Sequence, residues 1–326
     1  MTPGTVAPFV PASRCAVLPH VVMLDVLGHL VRLATNRPAV LGIAAGSFTV
    51  LDPDLRPRGT RADVRIVVTD ADEPGARDAH GHIAVQHRSL DADRLLVHSA
   101  GSVAVADHKR REATAYVTAA LVEDAEHFRD AVLEALVLAL VSRLDRYPLH
   151  AAGVAHGDRA LLLVGPSGAG KSTLSYLAHR AGLRLLGDDQ VWIQLQPRLA
   201  VWGRPRTVRL LPGAPVHFPE LASHPASWGR GKEKLAVGVG GLTPDAVHDV
   251  VTCVLGRARG AAALHRVGAR ALAEALGGRR DPGFDRFPAH DEQVARALSR
   301  RGGWRLELSP DPAEALPLLR RMLEES

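Results

Sequence analysis

Hydrophobic and polar positions change rhythm along this chain, and the changes predict two regions. Pro3, Pro8 and Pro11 mark an irregular start, and the spacing of apolar residues over 21–34 fits a short amphipathic helix. From residue 39 to 117 short β-rich runs at 64–68, 95–98 and 115–117 are separated by segments rich in Asp, Gly and Arg. Residues 123–146 then place Phe128, Val132, Leu136 and Leu140 at helical spacing, and Tyr147-Pro148 ends that helix. Beyond Pro148 the order is strand, turn, strand, glycine-rich loop, helix, strand. The last third alternates strands at 250–255 and 304–308 with helices at 268–276, 291–300 and 312–323. The pattern therefore predicts an α/β protein. Residues 1–146 form a smaller mixed α/β N-terminal domain ending in a connector helix, and residues 147–326 form a second α/β domain.

Composition narrows the class. A chain of 326 residues with 46% hydrophobic content suits a soluble globular protein of two domains. The net charge of +5 comes from 36 arginines and only 4 lysines against 35 acids, an imbalance typical of codon bias, so the charge does not argue for nucleic acid as a partner. Cys15 and Cys253 are too few and too far apart for a disulfide framework or a cysteine-built metal site, which points to a reduced, cytoplasmic setting. The greasiest early stretch, 16–33, is broken by His20, Asp25, His29 and Arg32, so neither a signal peptide nor a membrane span is expected.

The chemistry concentrates after residue 149. The apolar run Leu161-Leu162-Leu163-Val164 leads into Gly165-Pro166-Ser167-Gly168-Ala169-Gly170-Lys171-Ser172-Thr173, a full match to the phosphate-loop pattern between a strand and a helix. Glycines let backbone N–H groups converge on phosphate oxygens, and the helix N-terminus adds its positive dipole end. In such a loop Lys171 reaches the β- and γ-phosphates of ATP and Ser172 offers its hydroxyl to Mg2+. A strand at 183–186 then delivers Gly187-Asp188-Asp189. A right-handed crossover would make it parallel to the first strand, so both carboxylates emerge beside the loop. One carboxylate can take a proton from an attacking hydroxyl and the other can hold the Mg2+ shell, Asp189 being assigned to the metal with Ser172. An acidic turn or helix cap is the competing reading.

His150 is reached by counting. If Gly157-Asp158 is the centre of a tight turn, His156 faces Arg159, and the ladder extrapolates to place His150 opposite Gly165. An ordinary strand-end histidine is the alternative. Arg204, Arg206 and Arg209 can bind phosphate or an acidic acceptor, or lie solvated on the surface. Lys232 and Lys234 occupy a glycine-flanked stretch, 229–234, which reads as a flexible loop that closes over a ligand or stays solvated.

The run Leu149-His150-Ala151-Ala152-Gly153-Val154, the phosphate loop, and Gly187-Asp188-Asp189-Gln190-Val191 together resemble the catalytic core of HPr kinase/phosphorylases and their kinase-like relatives. The resemblance covers residues 147–211. It implies the phosphate-loop kinase core shared with ATP-dependent phosphoenolpyruvate carboxykinases. It also implies active-site roles for His150, Lys171, Ser172, Asp188 and Asp189, with Asp188 as the base. The glutamate- and arginine-containing signature that follows the aspartates in true HPr kinases is replaced by Arg204-Pro205-Arg206-Thr207-Val208-Arg209. The chain is more similar to divergent relatives of ribosomal-peptide pathways, including lasso-peptide precursor kinases. The expectation is an ATP- and Mg2+-dependent kinase acting on a Ser/Thr hydroxyl of a peptide or protein, with no nucleic acid or membrane partner and with homo-oligomerisation left open. A phosphate-loop ATPase, a nucleotide sensor without transfer activity, and a kinase of a small-molecule hydroxyl are the alternatives.

Overall fold

The computed structural model describes residues 17–52, 61–73, 75–224, 226–229, 232–240, 246–258, 260–277 and 288–325. The chain is mixed α/β and divides into two compact units, Met1–Leu140 and Val141–Ser326. The division falls inside a helix, ahead of Tyr147. Among the described residues no helix is long and apolar enough to cross a membrane.

Among the described residues the first unit holds eight strands: β1 (His20–Val26), β2 (His29–Thr35), β3 (Thr49–Val50), β4 (Arg61–Thr69), β5 (Gln86–Ser89), β6 (Arg94–His98), β7 (Val103–Asp107) and β8 (Glu112–Thr118). They form one sheet in the order β3-β1-β2-β4-β8-β7-β6-β5, with β2, β4 and β8 mutually parallel and the remaining pairs antiparallel. The helix expected over 21–34 is instead the β1–β2 hairpin, registered from His20↔Thr35 to Val26↔His29. Its two turn residues, Leu27 and Gly28, have φ of 53° and 78°, which a right-handed helix cannot contain. Asp25 Oδ1 accepts from Gly28 N at 2.8 Å and locks the turn. The apolar spacing that suggested a helix is also satisfied by alternation, which buries Leu24, Val26, Val31 and Leu33.

Helices α1 (Pro38–Ala45), α2 (Ala119–Glu123) and α3 (Ala125–Phe128) follow in the same unit, and a π-helical turn at Arg129–Leu133 joins α3 to α4 (Glu134–Ser142). Asp124 caps α3 by accepting from His127 N. All four apolar positions that predicted the long helix, Phe128, Val132, Leu136 and Leu140, are buried. The helix stops short of residue 146, because Asp145 adopts φ 59° and turns its carboxylate onto the amides of Leu195 and Gln196.

The second unit contains β9 (Tyr147–Leu149), β10 (Ala152–His156), β11 (Arg159–Val164), α5 (Lys171–Arg180), β12 (Arg184–Gly187), β13 (Val191–Gln194), β14 (Ala200–Trp202), β15 (Thr207–Leu210), β16 (Ala226–Gly229), β17 (Lys232–Gly238), β18 (Ala246–Val247), β19 (Asp249–Arg257), β20 (Ala263–Val267), α6 (Ala269–Gly277), α7 (Pro288–Ser299), β21 (Gly303–Leu308) and α8 (Ala315–Glu324). Its main sheet runs β12-β10-β11-β19-β21-β20. β11, β19 and β21 are parallel, and the Arg159 Nε–Asp249 Oδ2 contact at 2.6 Å pins the starts of β11 and β19. Alternate residues of β11 feed different cores. Leu161 and Leu163 pack with Leu174, Leu319 and Met322 on one face, while Leu162 and Val164 pack with Leu272, Val294 and Leu298 on the other. A strand buried on both faces needs the continuous apolar run seen here. We predict that Leu162→Ala costs about 2–5 kcal/mol of stability, read from the shift of a urea unfolding midpoint, because neither packed layer can collapse into the void.

Candidate functional site

The β10–β11 hairpin sets the site. Its ladder pairs Ala152↔Leu163 through His156↔Arg159 across a turn in which Gly157 has φ 58°, the register expected from the sequence. β10 begins only at Ala152, however. Residues 147–149 leave as β9 and pair with β13 in a separate four-stranded sheet, β18-β14-β13-β9. His150 therefore lies at a switch between two sheets and not within one strand, and its Nδ1 stands 3.3 Å from Asp189 Oδ1.

β11 runs directly into the glycine-rich loop. Gly168 and Gly170 take φ of 81° and 104°, and a Cβ at Gly170 would sit 2.9 Å from Leu308 Cδ1, so this position admits only glycine without strain. Ala169 N bonds Pro166 O at 3.0 Å and closes the curl. Gly170 forms the N-terminal boundary of α5 without a side-chain cap, which leaves the amides of the first turn facing the loop. Lys171 is 7% exposed, and its Nζ donates to Gly165 O at 2.7 Å and Pro166 O at 3.3 Å. An ammonium drawn into the loop, beside amides at a helix N-terminus, suits a polyphosphate. Ser172 and Thr173 follow in the first turn of α5, both partly exposed.

Asp188 and Asp189 follow β12. This strand is antiparallel to β10, which is antiparallel to β11, so β12 and β11 run the same way and end at the same sheet edge. The sequence expected a right-handed crossover to a parallel strand, and the direction is as expected. β10 stands between the two strands, yet the juxtaposition of their ends is unchanged. A Cβ at Gly187 would come 2.4 Å from Gln190 O, so glycine is needed for the tight bend that presents the carboxylates. Asp188 is 8% exposed, and its Oδ2 accepts from Arg209 N at 2.7 Å. Burial pushes its carboxyl above the ordinary range. The Arg209 amide pulls the other way, the Asp189 charge adds to the rise, and the Lys234 and Arg209 charges oppose it.

The arginines separate on inspection. Arg209 lies in β15 and meets Asp188 through its backbone, whereas Arg204 bonds Leu186 O through its amide and extends its guanidinium over Trp192, 5.8 Å from the ring centroid. Arg206 just precedes β15, and its carbonyl accepts from Val239 N. Of the stretch 229–234, Gly229 and residues 232–234 belong to strands and not to a loop: β16 and β17 pair from Ala226↔Leu235 to Gly229↔Lys232, and Leu235 and Val237 alternate inward. Arg230, Gly231 and the side chain of Lys232 lie outside the described residues, while Lys234 is close enough to act electrostatically on Asp188.

Sequence reasoning missed Arg257. It closes β19, the parallel neighbour of β11, and its Nη2 donates to Gly168 O at 3.0 Å in the glycine-rich loop. Only the parallel pairing of β11 with β19 reveals this, since 89 residues separate the partners. Burial also pushes the thiol of Cys253 far up and makes it inert, and Cys15 lies outside the described residues. Among the described residues no cluster of three or more His, Cys, Asp or Glu side chains could hold a metal by itself. Any cation here would share its shell with a ligand. The chain matches no protein-family model and no curated protein.

The Asp188 environment has a measurable consequence. A carboxyl whose folded pKa is raised binds its proton more tightly folded than unfolded, so stability falls as pH rises from the ordinary carboxylate range through the raised value. Asp188→Asn removes that loss and keeps an oxygen for the Arg209 amide. In EDTA the variant is expected to melt above the wild type at about pH 8, with the gap closing towards about pH 4.5. A pH-independent gap in the melting temperatures would show that the carboxyl is not raised.

Proposed function

We propose that the chain is an ATP- and Mg2+-dependent kinase with a phosphate-loop core of the HPr kinase type, transferring the γ-phosphoryl group to a serine or threonine hydroxyl of a peptide or protein. The observation that carries this reading is the common edge of β11 and β12. It sets a lysine-bearing, glycine-rich loop and a buried carboxylate at the same end of the sheet. The resemblance of residues 147–211 to HPr kinase/phosphorylases, and the reach of His150 to Asp189, support it.

In this reading the acceptor oxygen attacks the γ-phosphorus, the bond to the β–γ bridging oxygen breaks, ADP leaves, and the hydroxyl proton passes to Asp188. Burial strengthens Asp188 as a base, and the Arg209 amide fixes which of its oxygens is held. Lys171 and the loop amides orient the β- and γ-phosphates, and Arg257 braces the loop at Gly168. Ser172 and Asp189 would hold Mg2+, which supplies neutralising charge to the phosphates, and His150 fixes the Asp189 carboxylate. The acceptor is assigned to the peptide class by the resemblance to relatives that modify ribosomally made peptides, including lasso-peptide precursors.

Incubation with ATP, Mg2+ and candidate Ser/Thr peptides should yield a product heavier by one phosphoryl group in mass spectrometry. Lys171→Ala should weaken MgATP binding at least tenfold in calorimetry and abolish transfer, because it removes the loop's charge. Asp188→Asn should bind MgATP nearly as the wild type does while transferring about 100- to 10,000-fold more slowly. ATP hydrolysis with no acceptor modified would favour an ATPase, and transfer only to a free sugar or nucleoside would move the acceptor class. Unchanged MgATP affinity in Lys171→Ala would overturn the loop assignment itself.

A further inference from the structure

We propose that the first unit carries a peptide-binding pocket on the open face of its sheet, selective for a bulky apolar side chain flanked by a carboxylate. The assignment of that peptide as the kinase's own acceptor rests on the reading above, but the pocket does not. Register puts Val103 opposite Tyr116, Val105 opposite Thr114, and Asp107 opposite Glu112, all on one face of β7 and β8. The intervening Ala104, Ala106, Ala113 and Ala115 are buried on the other face, where the unit's core lies. An antiparallel sheet with one solvated face should be polar there. Instead Val103 and Leu90, each 46% exposed, join Val105 and Tyr116 around a cavity of about 430 Å³, a volume within the usual range for ligand sites.

The charged end of the pocket defines the occupant, because the hydroxyl oxygen of Tyr116 is shut off from solvent and out of a ligand's reach. At the charged end Arg94 is committed to Asp91 through two contacts, and Asp107 Oδ1 accepts from the Arg110 amide. The guanidinium of Arg110, also at the pocket wall, meets no carboxylate among the described residues. A peptide segment meets both demands: its side chain fills the apolar floor, and a neighbouring carboxylate pairs with Arg110. The pocket is also held in shape. Glu73 accepts from Ser99 Oγ, Gly101 N, Ser102 Oγ and Thr118 Oγ1 at 2.6–2.9 Å, tying together the ends of β6, β7 and β8.

The test uses the full chain carrying Lys171→Ala, without ATP, so that binding is read independently of phosphoryl transfer. With leucine and valine methyls labelled for NMR, Ac-Gly-Leu-Glu-Gly-NH2 should shift the methyls of Leu90, Val103 and Val105 saturably, and Ac-Gly-Asn-Lys-Gly-NH2 should not. Arg110→Glu should weaken binding at least tenfold, while Val105→Lys abolishes it with the remaining methyl spectrum intact. The proposal is overturned if neither peptide saturates these methyls, if both do so equally, or if isovalerate alone binds as well as the leucine peptide. It is equally overturned if the shifts track protein concentration, which would make a second copy of the chain the occupant. Saturable binding of the leucine peptide by a wild-type protein that transfers no phosphate would leave the pocket standing and remove the kinase reading.

Discussion

Everything at the candidate site depends on β11 being buried on both faces. Its apolar residues are divided between two packed layers, so the strand can neither slide by one residue nor tilt without exposing half of them. Its end is therefore a fixed point, and the glycine-rich loop begins there. The Arg159–Asp249 pair anchors one end of the strand, and Leu308 leaves no room for a Cβ at Gly170 in the loop at the other. The positions of Lys171, Asp188 and Arg257 follow from this frame, because each sits at the end of an element registered directly or through one neighbour to β11.

The site combines a rigid scaffold with charges held at some expense to stability. Lys171 and Asp188 are both nearly excluded from water, and each is kept by backbone groups: carbonyls for the lysine and an amide for the aspartate. Backbone partners are already fixed by the fold, so ordering them adds little entropy loss when a ligand arrives. Asp189 differs, being partly exposed and close to His150.

How much could be read from sequence follows from locality. The strand, glycine-rich loop and helix around Lys171 were legible because they are contiguous, and the hairpin register was legible because Gly157-Asp158 fixes it by counting. Residues 21–34 were misread because short apolar runs fit both periods, and the decision rested on two left-handed turn residues that no spacing reports. Gly229 and residues 232–234 were misread because the glycines suggested a loop, although the alternation of Leu235 and Val237 already carried the strand signal. The break between β9 and β10 and the approach of Arg257 to Gly168 were out of reach, since both depend on strands paired across long stretches of chain. The open-face pocket of the first unit was hidden for the same reason, since Tyr116 and Val103 meet only through their register.

The central claim is that a polyphosphate binds where β11 meets α5. Hydrogen–deuterium exchange of the wild-type protein with and without MgATP tests it at the level of single segments. The account predicts slowed exchange at the amides of residues 165–173 and at 187–190, with the hairpin turn at Gly157 unchanged. Unaltered exchange at 165–173 under saturating MgATP, or protection confined to another part of the chain, would contradict it.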